Sequence, residues 1–231
     1  MEEYYSENDM RDLAIEKKYE LLEQISESDE MKDEYLKVLD VLSYDQESGI
    51  RTQVAEILQD YDPRGVENIL IRLSHDEDGL VRAIACDSLR LSDTQEVLKL
   101  LMDKIKIDKV DLVRGYASSS IANIVLNMEL NESQYVDFFI EILSKEKVTW
   151  VKMHIYGALY LLGAESYLSK LIEMVHHKHF RKRAAAINIL ADVISDENKE
   201  LIESTLRELL DKEETLVVRS TIERVLEDIE D

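Results

Sequence analysis

Residues 176–183, with the sequence His-His-Lys-His-Phe-Arg-Lys-Arg, hold the side chains of this chain best suited to bind a ligand. Three imidazoles and four cations stand within eight positions of a 231-residue protein whose formal net charge is −22. Basic side chains at the start of a helix, where backbone N–H groups are free, suit a carboxylate or another anion. The structural alternative is that Arg183 serves a repeated ion pair while the other bases pair with nearby acids.

The same histidines raise the question of a metal site. His154 lies upstream, and Glu173 stands three residues before His176, a spacing that places both on one helical face. The neighbouring lysines and arginines would repel a cation. The chain also has no Ser/His/Asp set, no glycine-rich phosphate loop and no other cluster of metal ligands. We therefore expect no metal, no other cofactor and no catalytic activity.

A repeated pattern must position this basic segment. Apolar or small residues stand three, six and seven positions after each of six basic residues, which is typical of one buried helical face. A fixed period of 20–50 residues indicates stacked repeats. The six basic residues are Arg51, Arg82, Arg114, Lys152, Arg183 and Arg219, and the residues six positions before them are Asp45, Asp76, Asp108, Glu146, His177 and Glu213.

The acid of each pattern falls in the turn before the helix, where it can cap free N–H groups. It can also meet the basic residue of an adjacent repeat. We interpret the pairs between the acid of one repeat and the basic residue of an adjacent repeat as a structural acid–base ladder, and we call each such pair a rung. The fifth repeat departs from the pattern, because His177 replaces the acid.

A first amphipathic helix precedes each of these second helices, and no segment shows a strand pattern. The first helices are predicted at 33–42, 66–73, 94–105, 133–143, 165–175 and 200–210, and a cap helix is predicted at about 9–25. Helix-start signals at Asp62-Pro63, Ser92-Asp93, Asn131-Glu132 and Ser195-Asp196 support these starts.

Two helices per unit and the pattern D-x-x-x-x-V-R-x-x-A resemble the HEAT repeat family. The segments DEDGLVRAIACDSL, DKVDLVRGYASSSI and KEKVTWVKMHIYGAL carry the likeness, which covers about residues 30–230. It implies an all-α, right-handed α-solenoid of about six two-helix repeats plus an N-terminal cap helix. We expect one domain over 1–231, with the cap helix in 1–28 and the repeats in 29–231.

Composition and charge narrow the class of partner. Residues 1–62 carry a net charge of −13 and residues 196–231 carry −8, whereas 63–130 carry −2 and 131–195 carry +1. The acidic ends are either solvated caps of the array or a surface that recruits a basic protein. Nucleic-acid backbone requires a basic footprint, so we expect no nucleic-acid binding.

The remaining features predict a soluble chain inside the cell. The N-terminus lacks the pattern of a signal peptide, and no apolar run is long enough for a membrane span. The single cysteine, Cys86, adjoins a small buried position and is interpreted as a structural thiol in a reducing compartment. We expect a cytoplasmic monomer.

In HEAT-like arrays the second helices line the concave face, which places positions +1, +4, +5 and +8 after the basic residue in a groove. In repeats three to five these positions are uncharged and mostly small, with Tyr156 and Tyr160 among them and Tyr116 and Trp150 nearby. The offsets leave open whether they line a groove or pack between helices. Exposed Tyr, Trp and Arg are common at binding hot spots. The predicted partner-binding residues are Tyr116, Trp150, Tyr156, Tyr160, Arg181 and Lys182.

These features favour a non-catalytic protein–protein interaction scaffold or adaptor, which includes an acidic inhibitor or immunity-type protein that binds a basic partner. One alternative is a bilin lyase or related enzyme, because phycobilisome lyases carry HEAT-like repeats. A second is a HEAT-like DNA glycosylase, whose basic concave face only residues 178–183 would supply here. A rival binding surface is the acidic end, at Asp29, Glu30, Asp33 and Glu34.

Overall fold

A computed structural model describes residues 7–28 and 32–230. Over these ranges it contains fourteen α-helices, one short 3-10 helix and no strand, so the all-α class is confirmed. The α-helices are α1 Glu7–Asp12, α2 Ile15–Ser26, α3 Asp33–Leu42, α4 Ser48–Leu58, α5 Pro63–Leu73, α6 Gly79–Ser88, α7 Gln95–Ile107, α8 Asp111–Asn127, α9 Glu132–Lys145, α10 Thr149–Leu161, α11 Ser166–Met174, α12 Phe180–Asp192, α13 Lys199–Leu210 and α14 Leu216–Glu230. The 3-10 helix, Leu89–Leu91, extends α6.

The chain divides into two compact units, Met1–Met128 and Glu129–Asp231. In the first unit the second helices stack in series, α2 on α4, α4 on α6 and α6 on α8, and each of α4, α6 and α8 packs against its own first helix. In the second unit α10 packs on α12 and α12 on α14, with α9, α11 and α13 paired to them. Stacking of each repeat on its neighbour is the packing of an α-solenoid.

The helix starts follow the sequence signals with two corrections. The carboxylate of Asp62 accepts the N–H of Arg64, and the amide of Asn131 accepts the N–H of Ser133, as expected. At α7 the cap is Thr94, which accepts the N–H of Val97, rather than Ser92-Asp93. At α13 the residue before the helix is Asn198 rather than Ser195-Asp196.

The segment expected to form one cap helix holds two helices, α1 and α2, because the backbone at Ala14 is extended. The buried ammonium of Lys18 on α2 donates to the carbonyl of Arg11 at the end of α1, over 2.9 Å. Because α1 packs on α3 and α2 on α4, this pair is stacked on the first repeat as another two-helix unit.

Six of the twelve positions considered for a groove are buried inside their unit, five are half-buried and Asn188 is exposed. Ser118 and Ala122 on α8 are fully buried, and so are Met153 on α10 and Ile187 on α12. Gly157 on α10 lies so close to α12 that a methyl group in its place would stand 2.8 Å from Ile189 Cγ2. The buried positions therefore pack helices together, as the interior alternative predicted for them. In the described part of the chain, no helix is both long and apolar enough for a membrane crossing.

Candidate functional site

Buried ion pairs connect second helices to the turns of the following repeat. Arg51 Nε and Nη2 donate to the two carboxylate oxygens of Asp76 over 2.7 and 2.8 Å. The equivalent pairs are Arg82–Asp108, at 2.9 and 3.0 Å, and Arg183–Glu213, at 2.7 Å for both bonds. For these rungs the predicted ladder between adjacent repeats is confirmed.

Each rung also fixes the turn from which its acid comes. Arg82 Nη1 donates to the carbonyls of Asp76 and Glu77, so one guanidinium holds its own turn and the acid of the next. The acid in turn accepts a backbone N–H two residues further on, as Asp108 does from Val110 over 3.0 Å. Paired charges with every hydrogen bond satisfied are the arrangement that makes buried ions tolerable.

The ion pairs shift the pKa values of the acids. The Arg183 guanidinium lowers the pKa of Glu213 to about 2. Burial opposes ionisation of Asp108, yet hydrogen bonds from Arg82 and the Val110 N–H outweigh it and lower its pKa. Both carboxylates are therefore anionic at neutral pH.

One rung was not predicted from the sequence. Lys18 Nζ donates to Asp45 Oδ2 over 2.6 Å, and both side chains are buried. The signal was present in the sequence, because Lys18 lies 33 residues before Arg51, Asp12 stands six before it and Leu21 and Ile25 follow at +3 and +7.

The fifth turn, residues 175–179, keeps the ladder's backbone geometry without its acid. Arg183 Nη1 donates to the His177 carbonyl over 2.9 Å, as the other arginines do in their own turns. His177 Nδ1 accepts the N–H of His179 over 3.0 Å, and so replaces the acid as the turn's acceptor. Desolvation first, then the nearby cations Lys182 and Lys178, lowers the pKa of His177, which favours the neutral ring that can accept this bond.

Lys152 occupies the basic position of the preceding helix, α10, and is half-buried. In the register of the other rungs it belongs opposite residue 177. Its ammonium forms no ion pair or hydrogen bond with any side chain within 7–28 or 32–230. The substitution at His177 therefore leaves a cation without its carboxylate.

The bases around this turn have different surroundings. Lys182 Nζ donates to Thr149 Oγ1 over 3.1 Å and so ties the start of α12 to the start of α10. Arg181 is exposed and lies over the Phe180 ring, 5.8 Å from its centroid. Lys178 is also exposed, and neither it nor Arg181 contacts a carboxylate in the described ranges. The structural alternative therefore accounts for Arg183 and Lys182, but leaves two cations facing solvent.

The three predicted aromatic residues of α10 pack against the core of the second unit. The Trp150 ring lies 4.6 Å from the buried ring of His154. Tyr156 stacks on Tyr167 at 5.8 Å between centroids, and the Tyr160 hydroxyl accepts a hydrogen bond from Asn198 Nδ2 over 2.9 Å. Each of these rings is half-buried, and so is Tyr116, which lies on α8 in the first unit. Among the six predicted residues, Arg181 is the exposed one.

The histidines do not share one site. His154 is buried in α10, and burial lowers its pKa to about 4, whereas His176 and His179 lie at the surface around the fifth turn. In the described residues, no group of three His, Cys, Asp or Glu side chains is arranged to hold a metal ion. Cys86 is fully buried, and burial raises the pKa of its thiol to about 12, as suits a structural thiol.

A cleft of about 620 Å³, which no sequence pattern predicts, lies in the first unit. Its lining mixes acidic, basic and apolar side chains of α5, α6, α7 and the turn after α7. Ile107 is its most exposed apolar residue, and the Arg82–Asp108 rung forms part of its wall. Since its charges alternate in sign, the cleft presents no single class of ligand.

Paired helices, their serial stacking and the ladder define a helical repeat protein of the α-solenoid class. A family model described as HEAT repeats matches residues 36–122. No curated protein matches the chain. Among solved structures it is similar to the complex of CpcE and CpcF of phycocyanin lyase from Nostoc sp. PCC7120, with 10% identity, a TM-score of 0.45 and coverage of 88% of this chain and 96% of that chain.

Proposed function

We propose that this protein is a non-catalytic interaction scaffold that binds another protein through the fifth turn and the adjoining starts of α10 and α12. The observation that carries the proposal is the local reversal of charge. The fifth turn has exposed Lys178 and Arg181, where the equivalent turns contribute a carboxylate to the ladder. Phe180 adds an exposed ring with 38% of its surface accessible.

The composition of this surface suits protein recognition. An aromatic ring flanked by guanidinium and ammonium groups combines apolar area with charge, which is common at binding hot spots. Hydrogen bonds on both sides hold the turn in place, so little conformational freedom is lost when a partner binds. Within this role, the acidic remainder of the chain favours a partner that also carries basic surface. An inhibitor or immunity-type protein that binds a basic partner would fit this description.

The proposal is tested by affinity purification from the native host with quantitative mass spectrometry. Proteins retained by the wild-type chain are compared with those retained by Arg181→Glu combined with Lys178→Glu. Lys170→Glu is the matched control, because Lys170 is also exposed but already has an ion-pair contact with Glu173 at 3.7 Å. We expect a specific partner on the wild type and the control that is lost from the double variant.

Two other results would overturn the proposal. If the partner is kept by the double variant but lost when Asp33 and Glu34 in the first turn of α3 are neutralised, the site is the acidic end. Asp29 and Glu30 of that rival surface lie outside the described residues. If no protein partner is found and a bilin mixed with the purified chain changes its absorbance, the enzyme alternative replaces the scaffold.

A further inference from the structure

The interrupted rung at Lys152 and His177 points to a more specific mode of recognition. Where the ladder is intact, a basic residue of one helix meets a carboxylate from the next turn at 2.6–2.9 Å. At the fifth turn the other parts of the rung are present. Arg183 holds the turn carbonyls, and His177 accepts the turn's N–H. Only the carboxylate is lacking.

We propose that an acidic side chain of a protein partner completes this rung by pairing with Lys152, while the exposed cations Lys178 and Arg181 bind neighbouring acids of the same segment. The inference rests on the proposed scaffold function and names the chemistry of its ligand, an acidic peptide segment. Three features of the site support it: a half-buried ammonium without a carboxylate, a turn already held in the ladder geometry, and two solvent-facing cations beside it.

Charge complementarity identifies the occupant. A carboxylate is the group that the ladder uses opposite Lys18, Arg51, Arg82 and Arg183, so the register is already suited to one. Glu173, two residues before this turn in the sequence, is exposed and lies 3.7 Å from Lys170. The strongly acidic remainder of the chain would repel a long polyanion such as nucleic acid. An anionic ligand at this patch must therefore be a short acidic segment of the partner.

The test is a titration with a capped hexaglutamate peptide, with hexaglutamine as the uncharged control. Trp150 is the single tryptophan of the chain and stands in the first turn of α10, two residues before Lys152, so its fluorescence reports binding. We expect a salt-sensitive response to hexaglutamate and none to hexaglutamine. Inorganic phosphate at the same charge concentration should bind at least about tenfold more weakly, because it offers a single anion to three cations.

Variants at the rung decide the mechanism. His177→Glu supplies the carboxylate from within, so we expect a higher unfolding midpoint together with at least about tenfold weaker hexaglutamate binding. His177→Gln is the matched control, because its amide oxygen can accept the turn N–H without adding charge, and it should keep the wild-type affinity. Lys152→Met should also weaken binding, whereas Lys145→Met, which removes an exposed ammonium paired with Glu141, should not.

The inference fails if His177→Glu binds hexaglutamate as tightly as His177→Gln does, or if Lys145→Met and Lys152→Met weaken binding equally. Tighter binding of a single-stranded oligonucleotide than of hexaglutamate would also reject it and indicate a phosphate backbone instead. A native partner that binds His177→Glu normally but is lost from the Lys178 and Arg181 double variant would reject the rung mechanism and leave the scaffold proposal standing.

Discussion

At the scale of single residues, the ladder arginines act in two places at once. The Arg82 guanidinium holds two carbonyls of its own turn through Nη1 and the carboxylate of Asp108 through Nε and Nη2. The Asp108 side chain is 7% exposed and Arg82 is 16% exposed. The loss of either group leaves its counterpart charged and largely out of water.

We therefore expect Arg82→Ala to lower the free energy of unfolding by about 3 kcal/mol, because it strands a buried carboxylate. Arg64→Ala is the matched control. Its pair with Asp62 is 78% and 60% exposed, and water and salt screen such a surface pair, so its loss should change stability little. Chemical denaturation monitored by helical circular dichroism measures both. Equal losses in the two variants would mean that the ladder is no more important than a surface pair.

His154 gives a second prediction at this scale, in the pH dependence of stability. Burial lowers its pKa from 6.5 to about 4, so between these values the unfolded chain binds more protons than the folded one. Stability should be constant above pH 6.5 and should fall as the pH decreases towards 4, by on the order of 3 kcal/mol for the whole interval.

The control variant for this effect is His154→Leu, which should show a flat profile between pH 6.5 and 4.5. Carboxylates with lowered pKa values add a separate loss at lower pH. For Glu213, stability is present above pH 4.5 and is lost as the pH falls towards about 2. Titration of unfolding free energy above pH 4.5 therefore isolates the histidine. A wild-type profile as flat as that of the variant would contradict the assignment.

At the scale of helices, two glycines in helices differ in their surroundings. A methyl group at Gly157 on α10 would meet the branched side chain of Ile189 on α12 at 2.8 Å, whereas one at Gly65 on α5 would meet nothing within 4 Å. We expect Gly157→Ala to destabilise the protein by about 1–3 kcal/mol through overpacking. Gly65→Ala should stabilise it by about 0.5–1 kcal/mol, because alanine loses less backbone entropy in a helix.

Thermal unfolding of the two glycine variants, compared with the wild type, should give melting temperatures that move in opposite directions. Both variants replace glycine with alanine, so helix propensity changes in the same direction in both. A shift of the melting temperature in the same direction in both would therefore contradict the packing difference described here. A rise in the melting temperature of Gly157→Ala would show that α10 and α12 can separate without cost.

Helix positions were the part of the fold most readable from sequence. The buried face recurs at a 3.6-residue spacing, so α3 begins and ends at Asp33 and Leu42 as predicted. The predicted helix boundaries are wrong where contacts between residues distant in sequence determine the start of a helix. Asn198 precedes α13 while its amide reaches Tyr160, 38 residues earlier, and no local pattern reveals that bond. Ala14 interrupts the expected cap helix, where Lys18 binds the Arg11 carbonyl.

Part of the candidate site could also be predicted from the repeated pattern. The missing acid at His177 is visible in the alignment of the repeats, since it breaks their own pattern. The consequence for Lys152 depends on which turn faces which helix, and that requires the stacking of α10 on α12. Tyr156 and Tyr160 are predicted from their offset within the repeat, and an offset does not distinguish Tyr160 facing solvent from Tyr160 bonded to Asn198.

At the scale of the whole molecule, the dominant property is a net charge of −22 with its acidic surplus in residues 1–62 and 196–231. Like charges repel most strongly in the folded state, where they are closest. The Arg51–Asp76 pair and its equivalents are buried, so salt screens them much less.

We therefore expect added salt to stabilise the protein. Raising sodium chloride from 10 mM to 500 mM should increase the free energy of unfolding by roughly 1 kcal/mol, or about 2–4 °C in melting temperature. Potassium chloride at equal ionic strength should have the same effect, which separates screening from the binding of a particular ion. A melting temperature that falls with salt would mean that surface ion pairs outweigh the repulsion.

Each ladder arginine contacts its own turn and the acid of the next turn, and this determines which duplications can add a repeat to the chain. The segment 76–107 begins with the acid that receives Arg51 and contains Arg82, which requires an acid in the following turn. A tandem duplication of this segment would give Arg51 the first copy of Asp76, the first Arg82 the second Asp76, and the second Arg82 the original Asp108. Each charge would again be matched, so gene duplication can add a repeat here without a compensating mutation. Duplication of the segment 177–212, which begins with His177, would instead place the first Arg183 opposite a second His177 and leave another cation without a carboxylate.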